Sequence, residues 1–395
     1  MQSSTRATLF INIAHFVDHF ALLIFPTAVL VMGGEFGADY GDRILIATGS
    51  FLAFGVLSLP AGWLGDKWSR RHMMAVFFIG IGAALFGAGL ATSSLWLIVA
   101  LGAVGCFGAI YHPVGMAMLV SVAGTSGRVI AWNGVYGNLG VAFAAITTAA
   151  ISEQFGWRVA FMVPGAIFFL IGISYHLLVP ADAGAAAPAK KKAAADKQVM
   201  DIRLVALILS ITVVAGGFTF NGATIILPKL VIEEIPDLAL TPTYAGLVAT
   251  GIYMTGALTQ VIVGRLIDHF TVGAVFVTLA LGQSLGFLGV AYLDGQAALM
   301  MAVLVLSAVY GQVIVNDLIV ARTVPDQFRA RAFAARYVLG FAASASVVPM
   351  VGWLYHPEYG LKPMYFLLTG FAVVIALSAF AYAGLSARKP AVTTG

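Results

Sequence analysis

The chain contains very little charge. Only 10% of its 395 residues are Asp, Glu, Lys or Arg, whereas soluble domains carry about 25%. Its one cysteine, Cys106, lies in an apolar run, which excludes a disulfide framework and a thiolate metal site. The phosphate-binding pattern G-x-x-x-x-G-K-[ST] does not occur, so ATP is not expected to supply energy on this chain. These absences exclude most soluble classes and point to a polytopic membrane protein.

Apolar runs make up most of the chain. Hydrophobic residues account for 61% of it, and its mean hydropathy is +0.97. A run of about 20 apolar residues is long enough to cross a bilayer as a helix. The sequence predicts twelve such spans and an all-α integral membrane fold. The predicted spans are 7–33, 44–65, 72–92, 95–121, 129–152, 157–179, 203–232, 243–266, 272–293, 297–320, 332–355 and 362–385.

The spans fall into two groups of six around a polar segment. We expect an N-terminal half at 1–179, a cytoplasmic linker rich in Ala and Lys at 180–202, and a C-terminal half at 203–395. With both termini placed in the cytoplasm, 17 of the 21 Lys and Arg residues fall inside, as the positive-inside rule requires. The sequence therefore predicts a multi-pass protein of the inner (plasma) membrane. Its expected partners are lipid, protons and a small-molecule substrate; we expect a monomer that binds no nucleic acid.

Ionisable residues interrupt the first apolar span. His15, Asp18 and His19 are spaced i, i+3 and i+4, so a helix places them on one face, and Asn12 extends that face by one turn. Ionisable groups are costly in hydrocarbon and survive there when they face a protein interior or a watery cavity. The pattern predicts a transport site that binds protons, substrate or both. A buried polar knot that only holds helices together is the alternative.

The same residues fit a second kind of site. Histidines at i and i+4 can share a cation. His112 supplies a further ligand if the fourth span faces the first. A metal site formed by His15, Asp18, His19 and His112 therefore stays open.

Polar side chains also occur in the fourth and fifth spans. In Tyr111-His112-Pro113, proline removes a backbone donor and bends the helix, which lets the neighbouring histidine face a cavity. Asn133 and Tyr136 lie one turn apart on one helix face, where an amide and a phenol can bind a polar ligand. Packing and interhelical hydrogen bonds would also explain these residues.

The second half offers mainly amide and phenol groups. Asn221 follows two glycines, a pattern that suggests a loosened helix exposing its backbone. The further candidates for substrate binding are Tyr253, Gln312 and Asn316. Asp317 is expected to pair with a loop arginine at a gate. Arg336 is interpreted as a side chain that snorkels to the inner surface, or as the counterpart of an anionic substrate.

Two loops carry a faint repeat. Gly62-Trp-Leu-Gly-Asp66-Lys-Trp-Ser-Arg70-Arg71 follows the second span, and Gly264-Arg-Leu-Ile-Asp268 follows the eighth. Together with twelve spans and a basic central loop, this pattern resembles the major facilitator superfamily. The resemblance implies two pseudo-symmetric six-helix halves and a gate that closes through this loop. The residues it assigns to gating are Gly62, Asp66, Arg70, Arg71 and Asp268, to which we add Asp317 and Arg336.

A narrower pattern resembles the fosmidomycin-resistance group of efflux proteins. That group has a His-Pro pair in span four and Gly-Asn-x-Gly in span five. Here these are His112-Pro113 and 137–140. The chain differs from the group at Val114, where an acidic residue is usual, and at Asp18-His19, where Asn-Asp is usual.

These observations predict a secondary active transporter that works by alternating access, not an enzyme, and without a cofactor. The expected reaction is proton-coupled export, by antiport, of a small polar or anionic compound. Proton-coupled uptake of an organic anion or metabolite and divalent-metal export remain alternatives. A membrane receptor is a further alternative, but the sequence shows no signalling segment that would support it.

Overall fold

The computed structural model describes residues 2–123, 127–180, 202–235, 241–324 and 326–387. These residues are helical apart from the connecting turns and one β-bridge between His356 and Gly360. The predicted linker at 180–202 lies almost wholly outside the described residues. The prediction of an all-helical fold is confirmed.

Six long helices form the first half of the chain. Helix α2 begins with a short helical segment and a 3₁₀ turn, and α4 changes its winding along its length. The bounds are α1 Gln2–Ala28, α2 Tyr40–Lys67, α3 Arg70–Gly89, α4 Ser94–Ala123, α5 Gly127–Phe155 and α6 Trp157–Leu178.

Six more helices follow. They are α7 Ile202–Glu234, α8 Pro242–His269, α9 Val272–Tyr292, α10 Gly295–Thr323, α11 Asp326–Leu354 and α12 Lys362–Ala387. Among the described residues, eleven of the twelve helices are long and apolar enough to cross a bilayer. In α11 the described apolar helix, Ala342–Leu354, is shorter than the other eleven. The chain is therefore a multi-pass membrane protein.

The residues group into two compact units that do not coincide with the two sequence halves. One unit contains α1–α6 with the ranges Ile225–Met254 and Ser344–Gly360. The other contains Thr255–Ala343, the part of α7 that ends at Thr224, and α12. Helices α3 and α6 pack extensively in the first unit, and α9 and α12 do so in the second. The same pairing thus recurs six helices later, as internal repeats require.

Glycine allows the closest of these contacts. A Cβ added at Gly82 of α3 would lie 2.4 Å from the backbone nitrogen of Phe169 in α6. A Cβ at Gly165 of α6 would lie 2.6 Å from the backbone nitrogen of Phe86. The two helices therefore touch backbone to backbone, as small residues permit in membranes.

Helix α4 widens at His112-Pro113. The α-helix Ser94–Gly108 is followed by a π-helical turn, Tyr111–Gly115, and then by Met116–Ala123. Proline has no N–H, and its ring clashes with the carbonyl four residues earlier, so a regular α-turn cannot form there. Such π-turns are frequent at functional sites. Here the widening sets the direction of Tyr111 and His112.

Arg71 caps the C-terminal end of α6. Its side chain is buried, its Nε donates to the carbonyl of Val179 (2.8 Å), and its Nη2 donates to the carbonyl of His176 (2.5 Å). A cation at these last carbonyls also complements the helix dipole. Arg70, the next residue back, pairs with Asp66 of the preceding helix (2.7 Å), and Asp66 is exposed. The two arginines of the loop motif thus have different contacts.

We expect Arg71→Gln to lower the free energy of unfolding by about 2–4 kcal/mol, because charged hydrogen bonds to buried carbonyls would be lost. Arg70→Gln removes the same charge from an exposed ion pair and should change stability by less than about 0.5 kcal/mol. Thermal unfolding of both purified variants in detergent makes the comparison. Equal destabilisation by the two changes would contradict the assignment of Arg71 to the end of α6.

Candidate functional site

Asn133 of α5 is the centre of a buried polar network. Its Nδ2 donates to Oδ1 of Asn12 (3.0 Å), and its Oδ1 accepts from the hydroxyl of Tyr111 (3.0 Å). Its backbone carbonyl accepts from Nδ1 of His15 (2.8 Å). The amide therefore joins α1, α4 and α5. Since the carbonyl can only accept, Nδ1 of His15 carries the proton and Nε2 presents a lone pair.

Three imidazoles meet beside this network. Nε2 of His19 lies 3.1 Å from Nε2 of His15. The ring of His112 contacts both, with centroid distances of 5.5 Å to His15 and 5.6 Å to His19. One ring nitrogen of each histidine can be chosen so that all three lie within 4.8 Å of one another. The structure therefore brings the fourth span against the first, as the metal interpretation required.

Asp18 lies behind His112 and is completely buried. Nε2 of His112 is 3.3 Å from Oδ2 of Asp18, and the His112 side chain is 15% exposed. Within the described part of the chain, neither carboxylate oxygen accepts a hydrogen bond. A buried carboxylate without donors costs several kcal/mol when it is charged. This carboxylate needs a positive partner, and His112 is the group that contacts it.

The network reaches an empty space between α1 and α5. A cavity of ≈ 220 Å³ is lined by Thr8, Asn12, Val129 and Trp132. Asn12 is part of this lining and is also bonded to Asn133. His15, His19 and His112 are half-buried, whereas Asp18 is sealed. The histidines are thus the accessible part of the cluster.

Glycines hold the surrounding helices close to the site. A Cβ at Gly62 of α2 would lie 3.0 Å from Cβ of Pro113, and a Cβ at Gly65 would lie 2.8 Å from Cγ2 of Val114. Gly62 of the loop motif therefore packs against the π-turn of α4. This contact connects the motif to the element that carries His112.

Three candidates of α7 and α10 lie in the second unit. Gln312 and Asn316 are buried on α10. Gln312 accepts a hydrogen bond from the fully buried Gln283 of α9. Asn221 donates to the carbonyl of Gly217 in its own helix (2.9 Å). Helix α7 is continuous through this region, so the expectation of a loosened segment is wrong.

The remaining candidates have mixed surroundings. Tyr136 is half-buried on α5, and Tyr253 is buried on α8. Asp268 is exposed near the end of α8. Asp317 contacts Arg336 of α11, so its partner lies in a helix rather than in a loop. Arg336 is accordingly one half of an ion pair with Asp317.

Comparison with known proteins identifies the family. The sequence model described as Major Facilitator Superfamily matches residues 11–236, more than half of the chain. The chain belongs to the major facilitator superfamily. This major facilitator protein is therefore a multi-pass membrane protein of that superfamily.

Curated relatives match only part of this major facilitator protein. The membrane sensor protein UhpC of Salmonella typhimurium is 29% identical over 136 residues, which cover 33% of this chain and 30% of that protein. The puromycin resistance protein pur8 of Streptomyces alboniger is 29% identical over 143 residues, covering 35% and 28%. The chain thus spans less than a third of the length of these relatives.

Solved structures share the fold over nearly the full length. A bacterial homolog of the human lysosomal transporter Spinster, in an inward-facing and occupied conformation, has a TM-score of 0.73 at 14% identity. That match covers 98% of this chain and 97% of the other. A D-xylose-proton symporter has a TM-score of 0.73 at 13% identity, covering 97% and 98%. At this identity the likeness shows the fold alone.

Proposed function

We propose that this transporter exports a small polar or anionic compound in exchange for protons. The observation that carries the proposal is Asp18: a carboxylate in the middle of α1 that is completely buried and whose Oδ2 lies 3.3 Å from Nε2 of His112. A proton bound there removes the charge that makes burial costly. The transporter can then close around a neutral site and open again after the proton leaves.

His112 is proposed to pass protons to Asp18. Its side chain is partly exposed, whereas Asp18 is not, and an imidazole can both accept and donate a proton. Asn133, Tyr111 and Tyr136 would orient the ligand. The loop motif and the pair formed by Asp317 and Arg336 would act as gates.

Two resemblances support export. The pattern His112-Pro113 with 137–140 resembles the fosmidomycin-resistance efflux group, and the partial relative pur8 is named for puromycin resistance. We place the protein in the inner membrane as a monomer with both termini in the cytoplasm. The distribution of basic residues supports this orientation.

The direction of coupling is testable without knowing how the protein inserts into vesicles. A thermal-shift screen of phosphonates and small carboxylates, including fosmidomycin, first identifies a ligand. Proteoliposomes that contain a pH-sensitive dye then receive that ligand outside, with the membrane potential clamped by potassium and valinomycin. Antiport predicts that the lumen becomes alkaline as the ligand enters. Acidification would instead show symport and favour uptake. Ligand entry without any proton movement would overturn proton coupling.

A further inference from the structure

The three imidazoles of α1 and α4 form a site that the proton mechanism does not fully use. We propose that His15, His19 and His112 bind a divalent transition-metal ion. The inference rests on the proposed function in one respect, since both place the ligand site at the α1 cluster. Metal binding itself is a separate property and can be measured without transport.

The first two histidines have the spacing of a chelating pair. Nδ1 of His15 donates to the carbonyl of Asn133, which fixes the tautomer and directs the Nε2 lone pair toward His19. Nε2 of His19 is 3.1 Å away. Two imidazole nitrogens bound to one tetrahedral zinc ion at about 2.0–2.1 Å lie about 3.3 Å apart. A proton moved from Nε2 to Nδ1 of His19 turns both lone pairs toward an ion.

His112 completes a three-nitrogen site from a second helix. The ring nitrogen of His112 that can face the ion lies within 4.8 Å of the corresponding ring nitrogens of His15 and His19. This distance is larger than the spacing that one ion imposes, so His112 has to move inward by about 1–2 Å on binding. The π-turn that carries His112 supplies a local departure from regular helix, where such an adjustment is least costly.

Asp18 is a second observation that fits a bound cation. It is fully buried, and no backbone N–H or hydroxyl group in the described ranges donates to its oxygens. Its Oδ2 faces Nε2 of His112. A carboxylate that holds the outer nitrogen of a histidine ligand is a common second layer of metal sites. An ion on the three neutral imidazoles would place positive charge near this carboxylate and reduce the cost of burying it.

The donor set selects the class of metal. Imidazole nitrogens suit zinc, cobalt, nickel and copper, whereas calcium and magnesium prefer oxygen ligands. Three protein ligands leave a fourth position open on a tetrahedral ion. A carboxylate or phosphonate group can coordinate there, which connects this site to the anionic substrate class.

Cobalt is the most direct probe. The purified full chain, stripped with a chelator, is titrated with Co²⁺ while visible absorption bands and calorimetric stoichiometry are recorded. We expect one ion per chain, displaced by Zn²⁺. His19→Gln and His112→Gln, on different helices, should each weaken metal binding at least about tenfold. Removal of a residue that only supports a ligand costs about 10–100-fold in metal affinity, so removal of a ligand itself should cost at least the lower value. His269→Gln changes an exposed histidine at the end of α8 and should bind normally.

The outcomes separate this inference from the proposed function. No saturable Co²⁺ binding by wild-type protein with normal thermal unfolding would overturn the metal site. Binding retained in folded His19→Gln and His112→Gln would overturn it as well. Metal binding without ligand-driven proton flux would support the metal site and overturn proton coupling. Ligand-driven proton flux in protein that binds no metal would support proton coupling and overturn the metal site.

Discussion

Replacing Asp18 by Asn should abolish ligand-driven proton movement while ligand exchange continues. The substitution keeps the shape of the side chain but removes its ability to hold and release a proton. We expect the proton flux in dye-loaded proteoliposomes to fall at least about 100-fold, the range for removal of a positioned proton-transfer group. Exchange of labelled for unlabelled ligand requires no change in protonation and should persist.

The folded state should not suffer from this change. Asp18 is completely buried, and its contact with Nε2 of His112 is long at 3.3 Å, so the charged carboxylate regains little of the cost of its burial. Asp18→Asn should therefore unfold at the same temperature as wild type or higher. Asp42→Asn, at the exposed start of α2, is the matched control and should leave proton flux unchanged. Wild-type proton flux in the Asp18 variant would end the assignment of Asp18 as proton carrier.

Hydropathy was sufficient to predict the helices. Each apolar run became a helix because a buried or lipid-facing backbone must satisfy its own hydrogen bonds. The helices extend beyond the runs: the run at 44–65 lies within a helix that starts at Tyr40 and ends at Lys67. Polar residues at the ends of membrane helices can continue the helix because they already lie near water.

The sequence identified the polar face of α1 but not its partners. Spacing placed His15, Asp18 and His19 together, because residues three and four apart share a helix face. The contacts of Asn133 depend on how three helices pack. It bonds at once to Asn12, Tyr111 and His15. No spacing within one helix encodes that arrangement, so the central role of Asn133 emerged only from the fold.

Other misses have a local cause. Gln283 is not among the sequence candidates, although an amide in the middle of an apolar run is itself a signal that it needs a partner, here Gln312. The glycines before Asn221 suggest a loosened helix. The helix nevertheless continues through this region, because a membrane helix must satisfy its own backbone hydrogen bonds. The nearby glycines alone therefore did not predict the conformation.

The second large effect is expected from Gly137→Ala. A Cβ at this position of α5 would lie 2.5 Å from Nε2 of His15. The ring cannot easily move aside, because its Nδ1 is bonded to the carbonyl of Asn133 and its face stacks on Tyr111 at 4.8 Å. Overpacking of this kind costs about 1–3 kcal/mol. Part of that free-energy cost should appear as weaker binding at the site, because the His15 imidazole is the group displaced.

We therefore expect Gly137→Ala to weaken ligand and Co²⁺ binding at least about tenfold, which corresponds to 1.4 kcal/mol. Gly134→Ala is the matched control, one turn earlier in α5, where an added Cβ meets nothing within 4 Å. That change should preserve binding and raise stability by about 0.5–1 kcal/mol, because glycine in a helix interior is unfavourable. Binding and thermal unfolding of both variants decide the matter. If the two alanines behaved alike, the close contact between α5 and the His15 ring would not control the site.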